Sequence, residues 1–221
     1  FSNEAIGDAE TMEGAGIRWM LDLARETGAV LTGSLIVRAG SRVHNRLVWA
    51  RPDGTLAHYD KRHLFRMAGE HERYAGGSER LIVEVHGWRV CPLVCYDLRF
   101  PVYSRNCFDA AAQRLDYDLL LYVANWPSPR RHAWRTLLRA RAIENLAYCV
   151  GVNRVGVDGN QLPYAGDSVA LDFLGEAIVE LGSDAGVVTA RLSAERLATH
   201  RERFPAWMDA DAFALETRTR S

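Results

Sequence analysis

Long apolar runs are what this chain most plainly lacks. Its most apolar stretch, LLLYVA at residues 119–124, falls far short of the roughly 20 residues that cross a bilayer as a helix. With no signal-peptide pattern at its start, the sequence reads as cytoplasmic, with no membrane partner. One-sided charge is absent too. The 27 Lys and Arg residues face 28 Asp and Glu, a formal net charge of −1, and this excludes the basic footprint of a nucleic-acid binder. Cysteine is scarce: Cys91, Cys95, Cys107 and Cys149 form neither a C-x-x-C pair nor a zinc spacing with histidine. No metal site is therefore expected, and the cysteines are read as thiols. The G-x-S-x-G elbow, the P-loop and the G-x-G-x-x-G fingerprint are missing. So are repeats, low-complexity segments and linkers, and a single domain over residues 1–221 is expected.

What is present is an ordinary globular pattern, with 48% hydrophobic and 25% charged residues. Residues 13–27 carry Ile17, Met20, Leu21 and Ala24 at helical spacing before a stop at Gly28. AVLTGSLIV follows as a strand, then two strands turning at Asp53-Gly54, and LIVEVHGWRVCPLVC reads as a hairpin turning at Gly87. PVYSRNCFDAAAQ, residues 101–113, reads as a helix with Pro101 in its first turn. YDLLLYVANW is a buried strand. RRHAWRTLLRARAIENLA is a helix with Trp134, Leu137, Leu138 and Ile143 on its buried side. YCVGVNRVG returns to strand, SVALDF and AIVEL form a hairpin at Leu174-Gly175, and AERLATHRERF is a charged helix. Hairpins mixed with strand–helix–strand units predict an α/β protein, with a mixed sheet or two facing sheets and helices outside.

Chemistry-bearing residues gather at a few places. Cys95 ends an apolar strand just before Tyr96, Asp97, Leu98 and Arg99, and Pro101 opens the next helix. A thiol at such an elbow, near backbone N–H groups, is where a nucleophile would be put. Packing is the commoner role of a cysteine read from this pattern alone, and it is the role expected of Cys91. In HYDKRHLF, residues 58–65, Lys61 is a point charge suited to an oxyanion, and His63 is a conceivable thiol partner. By itself the segment reads as a solvated turn. VANWPSPRR, residues 123–131, gathers amide, aromatic and basic groups at the end of a strand. Arg141 and Glu144, three apart on one helix, read as a structural pair.

Taken in order, YDKRHLF, LVCYDLRFP, YVANWPSPR and RARAIEN resemble the nitrilase, or carbon–nitrogen hydrolase, superfamily, and their wording is closest to its omega-amidase branch. That branch hydrolyses the terminal amide of 2-oxo acid amides such as 2-oxoglutaramate. The resemblance implies an α/β four-layer α-β-β-α sandwich, pairing into homodimers, and a Glu-Lys-Cys triad without metal or organic cofactor. It makes Cys95 the nucleophile, with Lys61 and the Tyr96 backbone N–H as oxyanion donors, and Glu70 an additional active-site glutamate. Arg130, Asn125, Trp126 and Arg99 become the substrate-binding candidates, with Arg130 favoured over Arg99 and Arg131 for a substrate carboxylate. The family's general-base glutamate, with a first strand and helix, is expected on sequence preceding Phe1. Relatives carry histidine directly before the tryptophan of RHAW; here Ala133 precedes Trp134, and the histidine is His132.

The implied partner is a small amide, and the implied reaction runs through a cysteine thioester with release of ammonia. Other amidases of the superfamily, acting on deaminated glutathione or N-carbamoyl amides, share the same triad. A catalytically inactive interaction module of this fold is the alternative from a different class.

Overall fold

Ile17, Met20 and Ala24 are buried along one stripe of α1 (Ala15–Thr27) in the computed structural model, which describes residues 4–215. Two units are distinguished: residues up to Leu81 with Pro92–Asp97, and Ile82–Cys91 with the residues from Leu98 onward. In the first unit, α1 begins after Gly14, where the Glu10 carboxylate accepts from the Gly16 N–H at 2.8 Å. It stops at Gly28, whose left-handed φ of 65° suits a residue without a Cβ. The stripe packs on a three-stranded antiparallel sheet of β1 (Leu31–Ala39), β2 (Arg42–Ala50) and β3 (Leu56–Asp60), where Val48 and Ala50 join its cluster.

Strand alternation turns Val43, Asn45, Leu47 and Trp49 of β2 to the other face, where all four are buried. Because Leu47 pairs with Tyr59, Tyr59 shares that face. Lys61, two residues on, donates its N–H to the Asn45 carbonyl at 3.0 Å. The Asp53-Gly54 turn is present, with Gly54 at a φ of 87°. A further short helix, α2 (Glu70–Arg73), follows Gly69.

The second unit opens with the expected hairpin, β4 (Val83–Val85) and β5 (Trp88–Val94), the last three residues of which are counted with the first unit. It turns at His86 and Gly87, both with positive φ. Then come α3 (Pro101–Ser104), the short pair β6 (Phe108–Asp109) and β7 (Arg114–Leu115), β8 (Leu119–Ala124), α4 (Arg131–Glu144) and β9 (Tyr148–Asn153). The chain continues through β10 (Val155–Val157), β11 (Pro163–Ala165), β12 (Val169–Leu171), β13 (Ala177–Glu180) and α5 (Ala194–Arg203). The main sheet has the order β13-β12-β9-β8-β5-β4. Its β8 and β9 run parallel, as a crossover through α4 requires. α4 lies close on β9 at Gly151, where a Cβ would come within 2.5 Å of Leu138 and 2.8 Å of Trp134. Leu197 docks α5 against Tyr148 and Phe173. Among the described residues no helix is long and apolar enough to cross a membrane.

Two sequence expectations are corrected. The helix read over residues 101–113 ends at Ser104, because Asn106 satisfies its polar groups elsewhere. It donates to Asn145 and to the Tyr117 and Asn145 carbonyls, and accepts from the Tyr117 N–H. Ile143 is 51% exposed rather than buried. The inward positions belong to Trp134, Leu138, Arg141 and Ala142. Arg141 is tolerated there because its guanidinium donates to the Leu98 carbonyl at 2.6 Å and to Glu144 at 2.9 Å, so its pairing with Glu144 is as read.

Asp118 anchors the end of this unit, accepting from Arg89 through Nε and Nη2 and from Arg201 at 2.7 Å. Burial raises its pKa, but the bonds from Arg89 and Arg201 outweigh this and hold it below the usual carboxylate value. A carboxyl with a depressed folded pKa stabilises above the unfolded value and loses that contribution as pH falls through the folded one. Asp118→Asn is thus expected to destabilise the protein by about 3 kcal/mol at neutral pH. Urea titrations should show the gap to the parent narrowing below about pH 4; a gap that stays constant well below that pH rejects the assignment.

Candidate active site

β5 ends at Val94, and Cys95 opens a tight turn, Cys95–Arg99, with a φ of 47°. A residue bearing a Cβ is strained in this region by about 1–2 kcal/mol. Neighbours hold it there: Leu93 and Val94 are buried, and the Val94 N–H donates to Asp97 Oδ2 at 3.0 Å. The turn takes the Cys95 side chain out of the strand's alternation, which can present a thiol at an elbow. Cys95 is half-buried, whereas Cys91 is wholly buried, the difference expected of an elbow residue and a packing residue. Cys149 is wholly buried as well, and burial pushes its thiol pKa up, making it a poor nucleophile.

Lys61 is no solvated turn residue. It is 3% exposed and its Nζ lies 2.6 Å from Glu70 Oε2; Glu70 itself is 2% exposed. The same Oε2 accepts the Phe65 N–H at 2.6 Å, while Oε1 accepts from Asn45 Nδ2 at 3.0 Å. Three donors thus engage Glu70, which offsets the cost of burying both charges. One helical turn on, Tyr74 has its pKa pushed up to about 12, first by burial and then by the Glu70 carboxylate. Glycine is required at position 77, where a Cβ would sit 2.2 Å from the Asp60 carbonyl, next to Lys61.

The Lys61 segment and the Cys95 turn meet within this unit. Phe65 packs edge-on against Tyr96 with ring centroids 5.0 Å apart. Asp97 accepts from the Tyr59 hydroxyl at 2.8 Å and from His63 Nδ1 at 2.8 Å. His63, considered from sequence as a thiol partner, is thus engaged with Asp97. Sequence reasoning missed Asn45, Tyr59 and Asp97. The available signal was a polar residue, Asn45, in the buried phase of β2.

The remaining candidates lie in the second unit. Trp126 is buried; its N–H donates to Asn153 Oδ1 at 2.7 Å and its Nε1 to the Arg130 carbonyl at 2.8 Å. The Arg99 guanidinium stands 5.0 Å from the Trp126 ring centroid. Arg131 is committed to a two-pronged pair with the buried Asp167, at 2.5 and 2.7 Å. Asn125 and Arg130 are half-buried, and His132 is exposed. Among the described residues no group of three or more His, Cys, Asp and Glu side chains could hold a metal ion.

The family described as Carbon-nitrogen hydrolase matches residues 1–202. The chain is 53% identical over 201 residues to the omega-amidase YafV of Yersinia enterocolitica, covering 90% of this chain and 75% of the relative. It is 34% identical over 193 residues to the 2-oxoglutaramate amidase of Bacillus subtilis, covering 86% and 72%. Among solved structures, XC1258 of Xanthomonas campestris, a CN-hydrolase superfamily protein with an arsenic adduct in its active site, matches with a TM-score of 0.96 and 59% identity. That match covers 98% of this chain and 82% of the other, which bears out the expected α/β fold. By sequence and by fold the chain belongs to the carbon–nitrogen hydrolase family, the nitrilase superfamily, on its omega-amidase branch.

Proposed function

We propose that this amidase hydrolyses the terminal amide of small 2-oxo dicarboxylic acid monoamides, with Cys95 as nucleophile and a thioester intermediate. The observation that carries the mechanism is a cysteine held at a φ of 47° in the same unit as a buried Lys61–Glu70 pair. The identity to an omega-amidase and a 2-oxoglutaramate amidase supports the substrate class.

The Cys95 thiolate attacks the amide carbon, and the oxygen's developing charge is met by the Lys61 ammonium and the Tyr96 backbone N–H. Ammonia leaves after taking a proton, a thioester remains on Cys95, and water resolves it through a second oxyanion on the same donors. Glu70 is occupied by Lys61, Phe65 and Asn45, so its part is to hold the lysine. A general-base glutamate, as the triad requires, takes the Cys95 proton and returns it to the leaving ammonia, a part not given to Glu70. In this reading Arg130, on the loop past Asn125 and Trp126, takes the substrate carboxylate.

Ammonia release across an amide panel tests the proposal. 2-Oxoglutaramate and 2-oxosuccinamate are expected to exceed deaminated glutathione and N-carbamoyl amides by tenfold or more in kcat/KM, an effect of about 1.4 kcal/mol. Removing the substrate's far carboxylate should cost activity in the parent and nothing further in Arg130→Ala. Equal rates across the panel overturn the substrate class; equal losses in parent and variant overturn the role of Arg130.

A further inference from the structure

We propose that Asp97, His63 and Tyr59 form a positioning cluster that holds the Cys95 turn in register with Lys61 and sets kcat rather than substrate binding. This rests on the assignment of Cys95 as nucleophile and Lys61 as oxyanion donor. Asp97 is wholly buried, and both its oxygens are used twice. Oδ1 accepts from the His63 backbone N–H at 3.1 Å and from His63 Nδ1 at 2.8 Å. Oδ2 accepts from the Tyr59 hydroxyl at 2.8 Å and the Val94 N–H at 3.0 Å.

A carboxylate only accepts, so His63 carries a proton on Nδ1 and Tyr59 turns its hydroxyl hydrogen to Asp97. The Tyr59 oxygen then accepts from the Arg62 N–H at 3.1 Å. These donors, at residues 59, 62 and 63, bracket Lys61, while Val94 immediately precedes Cys95. Relaxing Cys95 from its positive φ would rotate the turn and break at least one of these bonds. Apolar side chains could hold two segments together as stably. Four directional bonds to one carboxylate also fix where the segments lie along each other, and a misplacement of about 1 Å can cost 100-fold in rate.

The test uses the natural protein. His63→Leu removes the ring donor, and kcat is expected to fall about 30-fold with KM within about threefold of the parent. His63→Asn carries an amide N–H in place of Nδ1–H and should recover to within about fivefold of the parent. The rate of Cys95 alkylation by iodoacetamide should follow the same order, although no substrate is present. Unchanged kcat in His63→Leu overturns the proposal. So does a His63→Asn variant as slow as His63→Leu, which would point to imidazole acid–base chemistry. If His63→Leu does not fold, Tyr59→Phe reads the same bond network by losing one hydroxyl: a fall of about fivefold in kcat at constant KM supports the cluster, no fall rejects it. Cys95→Ser separates this result from the underlying reading. Retained turnover there removes the nucleophile assignment, whereas an inert Cys95→Ser beside a normal His63→Leu removes the cluster alone.

Discussion

Lys61→Ala is expected to lower kcat by at least about 100-fold, because one oxyanion donor is worth about 3 kcal/mol in a site closed to water. Lys61 is 3% exposed and has its ammonium 2.6 Å from an equally buried Glu70, so the substitution also strands a carboxylate. Stability should fall by about 3 kcal/mol, and activity must be referred to the folded fraction. The double variant Lys61→Met, Glu70→Gln separates the two effects. It removes both charges together; the single glutamine oxygen accepts the Phe65 N–H, and its NH2 faces Asn45, whose side-chain amide can turn its oxygen to receive it. The thermal midpoint should recover most of the loss while kcat stays low. Near-normal turnover by folded Lys61→Ala removes the lysine from the mechanism.

Cys95 should show an opposition between activity and stability. Any substitution that removes the sulfur is expected to lower kcat by about 10⁴-fold or more, since the covalent step disappears. The order of stability among such variants is the informative part. At most positions glycine is less stable than alanine, because it loses more backbone freedom on folding. At a φ of 47° the order should invert, with Cys95→Gly more stable than Cys95→Ala by about 1 kcal/mol. Chemical denaturation of the two inactive proteins measures this directly. Alanine equal to or above glycine shows that the turn carries no strain, and with it falls the view of Cys95 as a nucleophile held at an elbow.

Local pattern made much of the fold legible. The stripe of α1, the Asp53-Gly54 and His86-Gly87 turns and the apolar strand β8, with Leu120 and Tyr122 buried, all stand where periodicity and turn chemistry put them. Each depends on neighbours within a few residues. The failures share the opposite cause. Residues 105–113 have no strong reason against helix in their own sequence, and Asn145 and Tyr117 decide the matter from far along the chain. Ile143 suits a core by type, yet Arg141 takes the inward place because the Leu98 carbonyl is there to receive it.

The site divides the same way. Of the four ordered motifs two offered Cys95 and Lys61 as candidates, and the segment GEHERYAGG added Glu70, because reactive side chains keep their identity wherever the chain folds. Read locally, however, the Lys61 segment was a solvated turn and Cys95 a packing thiol. The sequence by itself determined the family, the α/β class and which residues are chemically equipped to act. Tertiary structure alone decided that Lys61 is buried against Glu70, that Cys95 is held left-handed, and that Asp97 joins the two segments. Burial, backbone strain and directional hydrogen bonds arise between residues distant in sequence, and no local spacing encodes them.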